Sequence, residues 1–425
     1  MFRLPHRVVI TGMGVITPIG KTKKDFWESL IKGRSGVRKL PRFEGYASFI
    51  GAPVEDFCPE EYMEKRDARR MDRFTQFAYA AASMALNDAS IDPEKAGDKS
   101  RIGVIIGTGI GGISTIEEQI KVLLEKGPRR VSPFFIPSMI ANMAAGYISI
   151  AFGLHGPNTT IVTACASGTH ALGEAFRIIQ RGDADIMLAG GAEAPLTDVG
   201  FAGFTAMKAM STRNGEPERA SRPFDLHRDG FVIGEGAGVL VLETLESARS
   251  RGAFIYGEVA GYGMSGDAYH LAAPDPQGEG AYICMKRALE DASLEPEKID
   301  YINAHGTSTE HNDKVETIAI KRAFGEYAYK IPISSTKSMI GHLMGAGGGV
   351  EIAATLLSML HGIVPPTINY EFPDPECDLF YVPNKPCEKE IKAAISNSFG
   401  FGGTNASILI KAMQNAECRI KKTYL

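Results

Sequence analysis

Cysteine is sparse and scattered in this chain. Six residues, at positions 58, 165, 284, 377, 387 and 418, include no C-x-x-C pair, which excludes the usual spacing of a structural zinc site and a disulfide framework. Thiols kept reduced are the simpler account. Long apolar runs are also missing, and none approaches the roughly 18 residues that cross a bilayer, so no membrane association is expected. Val8-Val9-Ile10 is interrupted by Gly12, Gly14 and Pro18 with no cleavage-like segment after it. It reads as a strand and not a signal peptide, and a cytoplasmic protein is expected. Neither sign of charge dominates. A net charge of −4 argues against a nucleic-acid-binding surface and confines any basic site to a local patch. Glycine, by contrast, is abundant: 47 residues, beside 44% hydrophobic and 23% charged, an ordinary globular balance with many tight turns. A chain of 425 residues is long enough for two domains or one large α/β body.

The most informative stretch is Thr163-Ala164-Cys165-Ala166-Ser167-Gly168-Thr169. In front of it, Thr159-Thr160-Ile161-Val162 is β-branched and apolar and reads as a buried strand. Behind it, Ala171, Leu172, Ala175, Phe176, Ile178 and Ile179 recur at helical spacing until Arg181-Gly182-Asp183. Cys165 thus sits where a strand becomes a helix. Unpartnered N–H groups and the positive end of the helix dipole favour a thiolate there. A packed core cysteine is the alternative reading of this stretch alone.

The rest of the chain alternates strand and helix signals. A strand from Arg7 to Ile10 is expected to end in Thr11-Gly12-Met13-Gly14 and turn into a helix around Trp27, Leu30 and Ile31. Gly12-x-Gly14 lacks the third glycine and the acidic residue of a dinucleotide fingerprint, so no nucleotide cofactor is expected. Lys65, Arg66, Arg69, Arg70 and Arg73 fall mostly on one face if residues 63 to 73 are helical. Lys126-Gly127-Pro128-Arg129-Arg130 forms a second basic knot, and two such patches on a net-acidic protein suit an acidic macromolecular partner. Ile102 to Gly107, Asp185 to Gly191 and Gly236 to Leu242 read as strands, while Ser132 to Pro137 is apolar but proline-broken and reads as a pocket wall or interface. Ser211 to Gly230 is charged and long, and reads as a surface excursion. After Arg251-Gly252 the order begins again: a strand from Ile255, a helix over 279–292, strands near 300–303 and 331–335, a helix from about Gly347, and strands near 393–397 and 406–411. This predicts an α/β body of two similar halves with helices on mostly parallel sheets related by an internal repeat. The halves are placed at 1–252 and 253–412, with a tail at 413–425.

Three strand ends in the second half carry unusual chemistry. They are Asn303-Ala304-His305-Gly306-Thr307-Ser308-Thr309, Ser334 to His342 with Lys337 inside it, and Asn397 to Asn405 with Phe401 at its centre. In such sheets ligands bind beyond the carboxyl ends of the strands, so these loops and Cys165 are expected to converge on one cleft. His305 and His311 could suggest a metal, but Asp313 and Glu316 complete no recognised ligand spacing, and no metal is expected.

In order and approximate spacing these four motifs resemble those of the β-ketoacyl-acyl-carrier-protein synthases, and the resemblance runs from about Arg7 to about Lys411. The set Cys165, His305 and His342 is similar to that of the elongating type II condensing enzymes of dissociated fatty acid synthesis, not to the Cys-His-Asn set of the initiating ones. Glu310-His311-Asn312 departs from the proline and glycine of many members, while Asp313 is retained. The resemblance implies a thiolase-like, duplicated αβαβα fold and a decarboxylative Claisen condensation between an acyl group on Cys165 and malonyl-acyl-carrier protein. It further implies that His305 and His342 bind the malonyl thioester carbonyl and that the backbone of Cys165 and Phe401 forms an oxyanion hole. Lys337 would tune the histidines and Glu351 would hold Lys337. Thr307 and Thr309 would bind the pantetheine arm, and Ile110, Phe135, Phe204 and Phe401 would line or gate the acyl channel. Arg66, Arg69, Arg70, Arg129, Arg130 and Lys208 would dock the acidic carrier protein. A homodimer is implied, with Phe135 reaching across it, and some relatives hold a monovalent cation near the positions of Asn303, Glu351 and Asn397. Three rivals fit less well. A thiolase acting on coenzyme A esters needs a second cysteine in a glycine-rich setting, which Cys418 lacks; a non-catalytic chain-length partner would lack Cys165; a cysteine hydrolase would have no decarboxylation step.

Overall fold

Ten strands carry the fold in the computed structural model, which describes residues 5–413. They are Val8–Ile16 (β1), Ile102–Gly107 (β2), Asn158–Ile161 (β3), Ile186–Glu193 (β4), Gly236–Thr244 (β5), Gly257–Gly266 (β6), Tyr301–Asn303 (β7), Ile333–Ser334 (β8), Ala393–Gly400 (β9) and Thr404–Lys411 (β10). Hydrogen bonds join them in the order β8-β7-β9-β10-β6-β1-β5-β4-β2-β3. Outward from the middle, both sets of five have the same layout, β1-β5-β4-β2-β3 and β6-β10-β9-β7-β8. Both also have the same senses: antiparallel, antiparallel, parallel, parallel. The internal repeat is therefore present. The expectation of mostly parallel sheets is corrected to a mixed one, because links as short as Phe401-Gly402-Gly403 between β9 and β10 permit only a hairpin. The two sets meet where Val8, Val9 and Ile10 pair with Val259, Glu258 and Gly257.

Five helices complete the layers: Arg73–Asp88 (α1), Ser167–Arg181 (α2), Glu279–Ala292 (α3), Glu310–Phe324 (α4) and Gly347–His361 (α5). α2 and α5 touch strands of both sets and lie between them, whereas α1 covers the first set and α3, with α4 beside it, the second. Three apolar cores follow from this layering, a central one including Leu172, Phe176, Val350 and Leu356, and an outer one under α1 and under α3 and α4. β1 does not end at Gly12 as expected but runs to Ile16. Its glycines serve close approach: a Cβ at Gly12 or Gly14 would lie 2.3 or 2.0 Å from the carbonyl oxygens of Ala85 and Ala81 on α1. The repeat reproduces the device at Gly261 and Gly263 against Ala288 and Cys284 of α3, at 2.2 and 2.0 Å.

Other expectations are revised. β3 is an edge strand whose residues are exposed or half-buried, and Val162 beyond it is 56% exposed, so it is not the buried strand its composition suggested. The surface excursion expected at 211–230 is present only in part: Arg222, on Asp225 and Glu371, and Arg228, on Asp374, are buried, while Thr212, Glu216, Glu218 and Arg219 are exposed. Residues 63–73 do not form one helix. A single turn, Lys65–Ala68, precedes α1, and Arg73 is spent on Glu235 and the Val54 carbonyl. Helix α4, capped by Thr309 onto the Asn312 N–H, was not anticipated. Cys418 and the tail from residue 414 lie outside the described residues.

Candidate active site

The turn Ala164–Ala166 joins the end of β3 to α2 and sets Cys165 at the helix start. Ala164 adopts a left-handed backbone (φ 50°), an uncommon conformation for a residue with a Cβ. The Ser167 hydroxyl holds the turn, accepting from the Thr163 N–H at 2.8 Å. Gly400 is required opposite, because a Cβ there would lie 2.7 Å from the Thr163 carbonyl oxygen and 3.2 Å from the Cys165 nitrogen. This close approach brings the Phe401 N–H, with that of Cys165 itself, onto the sulfur. Cys165 is 7% exposed. Burial pushes its thiol up to about 12, and Glu193 acts in the same direction, against Lys337 and the two N–H groups. The expected thiolate is thus corrected: desolvation outweighs the helix start, and the resting group is a thiol.

His305 follows β7, and its N–H and that of Gly306 donate to the two oxygens of Glu316 on α4, at 2.8 and 2.7 Å. His342 follows the turn Lys337–Ile340, donates its N–H to the Val232 carbonyl at 2.7 Å, and accepts at Nδ1 from the Met344 N–H at 3.3 Å. A ring that accepts at Nδ1 and is neutral carries its proton on Nε2. The two imidazoles are 5.4 Å apart, centroid to centroid, and nearly perpendicular. Burial first, then the Lys337 charge, holds both well below the ordinary histidine range, so both rings are neutral N–H donors. Lys337 itself is buried against Glu351.

These groups share one cleft of about 420 Å³, lined by Cys165, His305, His342, Phe401, Thr307, Thr309 and Lys208. The hydroxyls of Thr307 and Thr309 lie 2.9 Å apart at its wall. Phe204 is not in the cleft lining but belongs to the apolar cluster that contains Cys165, edge-on to Phe231, which in turn is edge-on to His342. Ile110 and Phe135 do not line the cleft. Ile110 lies in the loop after β2, and Phe135 opens the short helix Phe135–Met139. Arg66, Arg69, Arg129 and Arg130 are exposed, and Arg70 lies over the Phe134 ring at 4.5 Å, so the two basic segments adjoin. Lys208 is exposed at the cleft rim.

Among the described residues no group of three or more His, Cys, Asp or Glu is placed to hold a metal ion. The buried oxygens Asn303 Oδ1 and Glu351 Oε2 have no hydrogen-bond partner among the described residues. The Asn397 amide is already engaged, accepting from Ser407 at 2.7 Å. Glu316 escaped the sequence reading except as a failed metal ligand, since nothing local ties a helix glutamate to the backbone of residues eleven and ten positions earlier.

The family model described as β-ketoacyl synthase, N-terminal domain, matches residues 6–248, and that of the C-terminal domain matches residues 256–371. The chain is 52% identical over 410 residues to the 3-oxoacyl-[acyl-carrier-protein] synthase 2 of Synechocystis, covering 96% of this chain and 98% of that one. It is 50% identical over 407 residues to the protein of the same name from Coxiella burnetii, covering 95% and 98%. Among solved structures, a ketosynthase in complex with its type II polyketide acyl-carrier protein is 39% identical with a TM-score of 0.89, covering 96% of this chain and 100% of that one. A β-ketoacyl synthase from Burkholderia phymatum is 37% identical with a TM-score of 0.90 and the same coverage. A buried cysteine under two backbone donors, two neutral histidines across one cleft, and these full-length likenesses lead to one statement: the chain belongs to the β-ketoacyl synthase family.

Proposed function

We infer that the protein is an elongating 3-oxoacyl-acyl-carrier-protein synthase of fatty acid synthesis. The observation that carries this reading is the shared cleft, with the Cys165 sulfur under the N–H groups of Cys165 and Phe401 and facing His305 and His342. In the first half-reaction the sulfur attacks the acyl thioester. An S–C bond forms, the bond to the carrier's sulfur breaks, and the proton of Cys165 leaves with the carrier thiol. The two N–H groups stabilise the oxyanion of that step. In the second, malonyl-carrier protein loses carbon dioxide as the C–C bond electrons pass into an enolate, whose oxygen takes hydrogen bonds from the ring N–H groups of the two neutral histidines. The enolate carbon then attacks the acyl carbonyl, and Cys165 leaves and recovers a proton. Burial, with the charge of Lys337 held by Glu351 acting in the same direction, keeps both histidines neutral. Asn303 and Glu351 would hold a monovalent cation when one is bound, supplying positive charge behind Lys337.

Thr307 and Thr309 are assigned to the pantetheine arm, Ile110, Phe204 and Phe401 to the acyl channel, and Arg66, Arg69, Arg70, Arg129, Arg130 and Lys208 to the carrier protein. The adjoining exposed arginines support the last assignment. The open edge of β3 supports a homodimer, with exposed Phe134 and Ile136 flanking Phe135, which would complete the partner's acyl channel. No helix among the described residues is long and apolar enough to cross a membrane, which supports a cytoplasmic enzyme.

The test is incubation with acyl carrier proteins of several chain lengths plus malonyl-carrier protein, followed by mass measurement of products and of the Cys165 peptide. Acylated Cys165 and 3-oxoacyl products two carbons longer are expected. Free acids without condensation product would indicate a hydrolase instead.

A further inference from the structure

Glu193 ends β4 as a fully buried carboxylate that the condensation described above does not use. Both of its oxygens are occupied. Oε1 accepts from the Thr108 hydroxyl at 2.8 Å and the Ile110 N–H at 3.1 Å, and Oε2 from the N–H groups of Gly109 at 2.5 Å and Gly345 at 3.0 Å. Because all four partners donate, the site suits a group that only accepts. Three donors belong to the loop after β2, which carries Ile110. The fourth belongs to the turn that follows His342, the same turn whose Met344 N–H fixes the His342 Nδ1.

The same loop also leans on the nucleophile's turn. The Ser167 hydroxyl lies 3.1 Å from the Thr108 carbonyl, and a Cβ at Gly109 would be 3.5 Å from the Ala164 carbonyl oxygen. A Cβ at Gly345 would be 2.4 Å from the Gly109 nitrogen, so loop and turn are in direct apposition beside the Glu193 carboxylate. One carboxylate therefore joins the loop that carries Ile110 to the turn behind His342, and neither can shift alone without breaking a buried hydrogen bond.

We propose that Glu193 is a positioning residue that couples occupation of the acyl channel to the placement of His342. The proposal rests on the reading of Ile110 as an acyl-channel residue of a condensing enzyme. A chain seated against Ile110 displaces the loop, and the Glu193 bridge carries the displacement to the Gly345 turn and hence to the ring that receives the enolate oxygen. Decarboxylation is thereby favoured once an acyl group is on Cys165, so the enolate is not formed without an electrophile to meet it.

The test uses the full chain with Cys165 alkylated by iodoacetamide or by N-decyl-iodoacetamide. In each case the S–C bond forms as iodide leaves and the thiol proton passes to buffer, giving a short or a long amide that cannot be transferred. Carbon dioxide release from malonyl-carrier protein is then measured. The long adduct should release it at least about five times faster than the short one, the lower end of ordinary coupling between sites. In Glu193→Gln the ratio should fall close to one, since the amide nitrogen turns an acceptor that faces two donors into a donor. Thr108→Val keeps the carboxylate and removes one of its donors, and should give an intermediate ratio; it serves if Glu193→Gln does not fold. A mere loss of packing would lower both rates together and leave the ratio as it was. A ratio near one in the parent, or the parent's ratio kept in the variants that fold, overturns the proposal. If no form releases carbon dioxide, it is the decarboxylative reading that fails.

Discussion

Chemistry at single residues is set here by burial more than by sequence neighbours. Cys165 has the helix start that its motif implies, yet the thiol is pushed up to about 12 because the sulfur is desolvated. Alkylation by iodoacetamide should therefore rise about ten-fold per pH unit from pH 7 to 10, following the thiolate fraction. A plateau at or below pH 8 would show a depressed thiol and contradict the burial argument. Glu316 makes a parallel case. Its carboxyl is raised to about 7, chiefly by burial, against the N–H groups of Gly306 and His305. A carboxyl that binds its proton more tightly folded than unfolded contributes stability below its unfolded value of 4.5 that is lost as pH rises towards 7. Glu316→Gln should lack that slope, so the difference in Tm between variant and parent should itself change with pH over this range. It should also cost about 1–3 kcal/mol by setting an amide N–H against a buried backbone donor. An unchanged slope would place the titration elsewhere. Glu193 and Glu316 were not legible in the sequence as loop anchors, because their partners are brought to them only by long-range packing.

At the scale of elements, the sequence located most strands and helices but misjudged their surroundings. β3 with Val162 beyond it reads as a β-branched core strand, yet it is an open edge, and composition does not distinguish a strand buried by its own chain from one available to another. If the proposed homodimer forms through this edge, Val162→Glu should shift it to monomer in sedimentation, with little change in circular dichroism. A persistent dimer would move the interface elsewhere. The basic turn Pro128–Arg130 makes no enclosed contacts, so reversing Arg129 and Arg130 to glutamate should raise KM for carrier-bound substrate and leave small thioester analogues unaffected. The parent's KM should also rise with salt, because exposed charges are screened within roughly 10 Å. Equal loss with both substrates would remove the docking role. In the segment 211–230 the surface reading holds for Glu216, Glu218 and Arg219 but not for Arg222 and Arg228, whose partners Glu371 and Asp374 come from far away in sequence.

For the whole molecule, duplication is the governing feature, and it is tied to glycine at equivalent points. Gly14→Ala and Gly263→Ala each force a Cβ to 2.0 Å from a helix carbonyl oxygen in corresponding positions of the two halves. Each should destabilise by about 1–3 kcal/mol, the usual cost of overpacking, in chemical denaturation. Strongly unequal effects would mean that the two halves are not under the same packing constraint.

The sequence by itself determined what local chemistry can write: the four loops at strand ends, the small residues around Cys165, the alternation that repeats after Arg251-Gly252, and the separation of thiols that excludes a metal or disulfide framework. Those features depend on neighbours a few positions apart. Only the tertiary structure decided the sense of the strands, the edge position of β3, the protonation of Cys165 and the anchoring of the His305 loop by Glu316 and of the Ile110 loop by Glu193. Each of these is a balance between desolvation and a partner supplied by a distant part of the chain, and no window of sequence contains both sides of it.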